Sequence, residues 1–173
     1  VPVLLYSPSM KDLAHAVAAR DPQRIELGGI RWNRFPDGFP DILVKDVERM
    51  RARDVAYLAC LDTQRQVFEE ISVMLTLAGI RPNSLRILLP YFPTGTMERA
   101  DHEGQVTTAH TLAQMISTVA PAGPGPVPLY IWDLHALQNM KFFGPNIAPR
   151  GKWGVRVLQK RLENLAVTVA FPD

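Results

Sequence analysis

The apolar runs at residues 3–6, 55–60, 84–89 and 129–132 constrain the fold most, because each is too short for a buried helix and too apolar for a surface loop. Between them lie stretches with helical spacing. In residues 10–20, Leu13, Ala16 and Val17 share a face, with Ser9 placed to cap the helix and Asp21-Pro22 to end it. In residues 64–78, Val67, Ile71, Met74, Leu75 and Ala78 repeat the pattern, with Gly79 as the expected C-cap and Pro82 as a stop. Further helices are expected over 106–119 and 155–164, with one helical turn over 138–143. Strands are expected within 25–35, at 42–44 and at 166–171, and residues 34–40, rich in proline and glycine, read as a loop. Strands alternating with helices predict an α/β domain: a mainly parallel sheet with helices on both faces.

Bulk properties narrow the function classes. A chain of 173 residues makes about one domain, so 1–173 is read as a single α/β unit. The net charge of +2 comes without a basic block, which argues against nucleic acid and leaves anionic phosphate substrates compatible. A lone Cys60 excludes an intramolecular disulfide and any cysteine metal cluster, and reads as a small apolar residue. No apolar run approaches a membrane span, and no signal-peptide pattern opens the chain, so a secreted or membrane protein is not expected. The start at Val1 implies that a leader has been removed or that the native start is missing.

Chemistry gathers at Leu129-Tyr130-Ile131-Trp132-Asp133-Leu134-His135. In an extended chain Asp133 and His135 fall on one face. An unpaired carboxylate in a core costs roughly several kcal/mol, so this run is expected to leave the core at its C-terminal end, where open α/β sheets bind ligands. Asp-x-His there suits a metal or a phosphate-bearing substrate; equally, Asp133 can cap the following turn with His135 hydrogen-bonded beside it. The run at 166–171 also finishes near a carboxylate, Asp173. Asp133, Asp173 and His135 together would make a divalent-cation mouth with few protein ligands, as suits magnesium carried by a nucleotide. Zinc is disfavoured, since no other His or Cys has ligand spacing to His135. No glycine-rich phosphate loop of the familiar kinds occurs. His15, His102 and His110 lack partners at useful spacing, the charges from Glu98 to Glu103 read as a solvated loop, and Trp132 reads as packing.

The order of motifs resembles the N-terminal half of a ribose-phosphate pyrophosphokinase. The motifs are Ser7-Pro8-Ser9, Arg34-Phe35-Pro36-Asp37-Gly38, Leu89-Pro90-Tyr91-Phe92-Pro93, Asp133-Leu134-His135-Ala136-Leu137-Gln138 and Pro172-Asp173, all in family order. The resemblance implies a phosphoribosyltransferase-like domain, half of a two-domain enzyme that moves an intact diphosphoryl group from ATP to the 1-hydroxyl of ribose 5-phosphate with Mg2+. It places His135 and Asp173 at the metal and ATP phosphates, with Asp133 beside them. Phe35 and Asp37 fall in the loop that contacts adenine from a neighbouring subunit, which implies an oligomer. It further implies the cytoplasm or an organelle interior, plastid or mitochondrion.

Where the usual family carries Tyr-Ala-Arg-Gln-Asp, this chain has Thr94-Gly95-Thr96-Met97-Glu98-Arg99. Thr96 cannot replace a cation and Met97 cannot hydrogen-bond like an amide, which leaves Arg99 to supply charge to the phosphates. Asp-Gly-Phe-Pro, Phe-Pro-Thr-Gly-Thr and Ala-Phe-Pro-Asp are similar to the divergent plant-type branch (class II), so the departures read as those of a subfamily. The family's ribose-phosphate loop and its basic catalytic loop belong to the C-terminal half, so no catalytic residue is assigned within this segment. A non-catalytic associated or regulatory subunit, or a structural component of a larger assembly, is the alternative.

Overall fold

The computed structural model describes residues 1–163, 165 and 166. In chain order its elements are β1 (Val3–Tyr6), α1 (Lys11–Arg20), β2 (Glu26–Leu27), β3 (Ile30–Arg34), β4 (Pro40–Val44), α2 (Val47–Met50), β5 (Asp54–Leu58), α3 (Gln64–Gly79), β6 (Ser84–Leu89), α4 (Thr108–Ile116), β7 (Val127–Trp132), β8 (Ile147–Lys152) and α5 (Val155–Leu162). Six strands form one parallel sheet in the order β2-β1-β5-β6-β7-β8, while β3 and β4 pair as an antiparallel hairpin outside it.

Handedness sorts the helices. The steps from β5 to β6 to β7 run in one direction across the sheet, so right-handed crossovers put α3 and α4 on one face. The step from β1 to β2 runs the other way and puts α1 on the opposite face. Burial follows this division. Val3, Leu5, Val55, Tyr57, Leu85, Ile87, Leu89, Leu129 and Ile131 pack with Ile71, Met74 and Leu77 of α3 and with Leu112 and Ile116 of α4. On the other face Leu4 and Leu58 pack with Ala14 of α1. Each large side chain fully buried here contributes roughly 1.5–3 kcal/mol, so the α3–α4 face holds the domain together. The α1 face is only partly covered: Leu4, Leu13, Val17, Leu58, Leu88, Pro90 and Trp132 line an apolar groove of about 440 Å³. Helices therefore cover both faces as expected, but unequally.

Several local expectations change. The strand expected within 25–35 breaks at Gly28, whose Cβ, if it had one, would lie 2.6 Å from Leu5 Cδ2; only a glycine lets the chain pass there and leave the sheet for the hairpin. Ser9 does not cap α1, because Pro8–Met10 forms a 3-10 turn that enters the helix directly. α3 runs through Gly79, and the left-handed turn falls on Arg81 at φ 57°. The charged stretch before β5 contains the short helix α2, anchored by buried Met50. Strand β8 was not expected: Pro149 and the charged Arg150 and Lys152 on either side of Gly151 hide it, and Pro is tolerated because β8 is an edge strand. The strand expected over 166–171 lies almost wholly, and Asp173 wholly, outside the described residues. No helix among the described residues is long and apolar enough to cross a membrane.

Candidate functional site

The carboxyl ends of β6 and β7 lie side by side, with Leu89 paired to Ile131. The chain leaving each strand builds one wall of a shared mouth. From β7, Asp133 turns the chain in the left-handed region at φ 48°, a conformation Asp tolerates better than most residues, and its N–H donates to the Lys152 carbonyl at 2.9 Å. Its Oδ1 accepts the Gly154 N–H at 2.9 Å, at the start of α5. A Cβ on Gly154 would come within 2.5 Å of Asp133 Oδ2. The Asp133 carboxylate therefore caps a turn. His135, exposed two residues on, is not bonded to it.

From β6, the wall is the loop after Pro90. Phe92 is buried and meets Phe143 edge-on at 6.0 Å, which fixes the loop's root. Thr94 takes φ 59°, and its carbonyl accepts the Met97 N–H at 2.8 Å, closing a tight turn. That turn brings Gly95 against His135: a Cβ on Gly95 would be 3.6 Å from His135 Cβ. Two successive side chains on the β7 side reach across. Gln138 Nε2 donates to Glu98 Oε1 at 3.3 Å, and Asn139 Nδ2 donates to the Gly95 carbonyl at 2.8 Å. Glu98 Oε2 and Asn139 Oδ1 are buried without a hydrogen-bond partner among the described residues. Arg99 pairs with Asp101 at 3.2 Å, with both side chains largely exposed.

Glu98 thus leaves the solvated loop assigned to it, and Asn139 carried no signal at all. An Asn beside a helical turn is ordinary in sequence, and only its partner 44 residues away gives it meaning.

The crevice between β1 and β5, where the strand order reverses and α/β sheets commonly bind ligands, is filled by protein. Glu70 projects there from α3, accepting from the Tyr57 hydroxyl at 2.6 Å and the Cys60 N–H at 3.4 Å, with Ser7 as a further partner. Burial pushes the Glu70 carboxyl up from 4.5 to about 7, against the lowering effect of those donors. Burial also raises the Cys60 thiol, the direction opposite to a reactive thiolate.

Phe35 and Asp37 lie apart from this mouth, at the tip of the β3–β4 hairpin. Gly38 at φ 88° closes the turn, and the Asp37 carboxylate accepts the Phe39 N–H at 3.1 Å. The hairpin is tied to α3: Arg34 and Arg65 both donate to Glu69 Oε1, and Phe39 meets Phe68 edge-on at 6.4 Å. Phe35 at the tip is 53% exposed. Among the described residues, no hydrogen bond or ion pair links Phe35 or Asp37 to Arg99 or His135.

A six-stranded open parallel sheet with helices on both faces, and polar side chains meeting at the carboxyl ends of two neighbouring strands, makes this an α/β domain of the open-sheet class. The fold is shared with the crystal structure of phosphoribosylpyrophosphate synthetase from Mycobacterium smegmatis at a TM-score of 0.77 and 16% identity, over 95% of this chain and 52% of that one. No family model matches the chain. In sequence it is 40% identical over 174 residues to the mitochondrial ribose-phosphate pyrophosphokinase 3 of Spinacia oleracea, covering 98% of this chain and 43% of the relative. It is 38% identical to ribose-phosphate pyrophosphokinase 4 of Oryza sativa subsp. japonica, covering 98% and 53%. The chain is a relative of the plant ribose-phosphate pyrophosphokinases 3 and 4, matched along nearly its whole length. It spans about half the length of the curated relatives it matches.

Proposed function

We propose that this chain is the N-terminal, nucleotide-phosphate-binding half of a ribose-phosphate diphosphokinase. The observation that carries the reading is the meeting of His135 with the Thr94–Arg99 loop at adjoining strand ends, in a chain 40% identical to a ribose-phosphate pyrophosphokinase. In the whole enzyme the 1-hydroxyl oxygen of ribose 5-phosphate attacks the β-phosphorus of ATP. The bond from that phosphorus to the α,β-bridging oxygen breaks, AMP leaves, and the hydroxyl proton goes to solvent or a base. Little covalent chemistry falls to the protein, so catalysis is positioning and charge neutralisation. The share of this half is to hold the ATP phosphates. His135 is exposed and free to donate to them, and Arg99 is released to them by breaking a solvent-screened pair with Asp101.

The reaction class calls for Mg2+, and the residues present fit an ion brought in by the nucleotide. Among the described residues no three His, Cys, Asp or Glu side chains gather into a cage. His135 is exposed at the mouth, and Glu98 keeps a buried carboxylate oxygen without a partner there. Asp173, the other proposed ligand, lies outside the described residues. Magnesium supplies neutralisation of the phosphate oxygens and keeps most of its waters, so few protein ligands suffice. Asp133, engaged with Gly154, orients the turn that presents His135.

Ribose 5-phosphate is bound mainly by the other half of the enzyme. Phe35 and Asp37, exposed at a hairpin tip held firm by α3, are presented to adenine in a neighbouring subunit, which makes the working form an oligomer. The compartment is the cytoplasm or the interior of a plastid or mitochondrion. The deciding assay is diphosphoryl transfer by the full-length protein, with AMP formation as readout. His135→Ala is expected to abolish transfer while leaving the melting temperature unchanged; near-normal turnover by that variant removes His135 from the reaction. A second reading, a non-catalytic associated subunit, is favoured by Thr96, Met97 and the pairing of Arg99 with Asp101. Absence of heat on titrating MgATP into the wild-type protein would select it.

A further inference from the structure

The β7 turn and the β6 loop are joined by a side chain that neither the motifs nor the proposed chemistry uses. Asn139 sits in the 3-10 turn Leu137–Phe142 and is fully buried. Its backbone N–H donates to Ala136 O at 3.1 Å, fixing the turn itself. Its side-chain amide leaves that turn and donates to the Gly95 carbonyl at 2.8 Å. Asn139 Oδ1 has no partner among the described residues. The amide gives the buried Gly95 carbonyl a donor while its own oxygen goes unpaired, so its one side-chain bond is to the loop and not to its own turn. What the amide does secure is the placement of Gly95, the peptide in contact with His135. A Cβ at residue 95 would stand 3.6 Å from both Asn139 Nδ2 and His135 Cβ. The neighbouring Gln138–Glu98 bond is longer, at 3.3 Å, and exposed, so water competes for it. The buried bond is the firmer of the two ties across the mouth.

We propose that Asn139 is a positioning residue: its amide pins the Thr94–Arg99 loop against the β7 turn and so sets the spacing of Gly95 and His135. The consequence for nucleotide binding rests on the function proposed above; the pinning itself does not. The loop holds no strand pairing of its own beyond the Met97-to-Thr94 turn, so without Asn139 its place relative to His135 depends on Phe92 and on an exposed side-chain bond.

The test uses Asn139→Leu, which keeps the branching, adds bulk and removes both the donor and the unpaired oxygen, and Asn139→Asp, which keeps the shape and loses the donor when ionised. In the full-length protein without nucleotide, amide exchange of the peptide spanning residues 94–99 is expected to speed up in both variants. The melting temperature of Asn139→Leu should fall, because the buried Gly95 carbonyl loses its donor. MgATP affinity, measured by calorimetry, should fall roughly fivefold to tenfold, the size of one lost hydrogen bond. Unchanged exchange across 94–99 overturns the pinning. Faster exchange with unaltered MgATP affinity, in a wild-type protein that does bind MgATP, overturns the link to the mouth. A wild-type protein that binds no MgATP defeats the functional reading, while the exchange measurement still decides the role of Asn139.

Discussion

The Tyr57 hydroxyl donates to Glu70 Oε2 at 2.6 Å, and both side chains are sealed from solvent at the crevice between β1 and β5. Burial raises the Glu70 carboxyl from 4.5 to about 7 in the folded protein. Between those values the folded chain keeps a proton that the unfolded chain has lost. Its contribution to stability is therefore fully present below pH 4.5 and is lost as pH rises through about 7. The span corresponds to about 3 kcal/mol. Glu70→Gln keeps an acceptor for Tyr57 and removes the titration. Urea unfolding from pH 4 to pH 8 should show the variant gaining on the wild type by roughly that amount as pH rises. A difference that stays constant across the range would refute the assignment. Tyr57→Phe removes a donor that lowers Glu70, so it should push the titration higher still.

Asp133 and Gly154 make a separable case, because two readings of Asp133 give opposite results. As a turn cap, Asp133 needs an acceptor oxygen and a tolerance of left-handed backbone, and Asn offers both. Asp133→Asn should be nearly neutral for stability and for MgATP binding. Asp133→Ala should cost about 1–2 kcal/mol, as a lost cap does. Gly154→Ala should cost no more than that, since its Cβ would displace Asp133 Oδ2, the free end of an exposed side chain, and at worst break the cap. If instead Asp133→Asn loses Mg2+-dependent binding while unfolding normally, the charge itself is needed and Asp133 returns to the metal.

The contrast between Asp133 and Asn139 shows what was legible in the sequence and why. The runs that became β1, β5, β6 and β7 announce themselves because burial on both faces demands continuous apolar residues. β8 does not, because an edge strand beside solvent tolerates Pro149 and polar side chains. Asp-x-His was visible as a pair of polar residues ending an apolar run, and both of its uses could be stated in advance. Choosing the cap required Gly154, 21 residues further along and brought back by β8. Asn139 and Glu98 were invisible for the same reason, since each takes its partner from a distant segment; of the two partners of Glu69, local spacing encodes Arg65 but not Arg34.

Glu69 holds the hairpin. It accepts from Arg34 on β3 and from Arg65 one turn earlier on α3, with its own side chain nearly buried. Removing the carboxylate takes the shared acceptor from Arg34 and Arg65 and leaves the contact of Phe39 with Phe68 to hold the hairpin. Glu69→Ala is expected to cost about 1–3 kcal/mol and to free the hairpin from α3. Limited trypsin digestion should then cut at Arg31 and Arg34 several-fold faster than in the wild type. Cleavage at the wild-type rate would mean that the apolar contact alone holds the hairpin. If the tip joins subunits, sedimentation of the same variant will show a loss of oligomer.

Arg99 decides between an active phosphate site and an associated subunit. Thr96 and Met97 supply neither a cation nor an amide, so a phosphate at this mouth has Arg99 as its nearest sequence candidate for charge. Its pair with Asp101 at 3.2 Å is largely exposed on both sides. Exposed pairs of that kind contribute about 0–1 kcal/mol, so breaking it to reach a phosphate costs little. Arg99→Ala is expected to weaken MgATP binding roughly tenfold or more, the scale of a hydrogen bond to a charged group. Asp101→Asn should leave it unchanged or tighten it slightly, and the effect of Arg99→Ala should shrink as salt rises. Thr96→Arg in the Arg99→Ala background should recover part of the loss, by returning a cation to the wall that faces His135. Calorimetry on the four proteins at low and moderate salt reads all of this. If wild-type affinity survives Arg99→Ala at every ionic strength, the mouth draws no charge from this loop, and the subunit that only assembles becomes the better account.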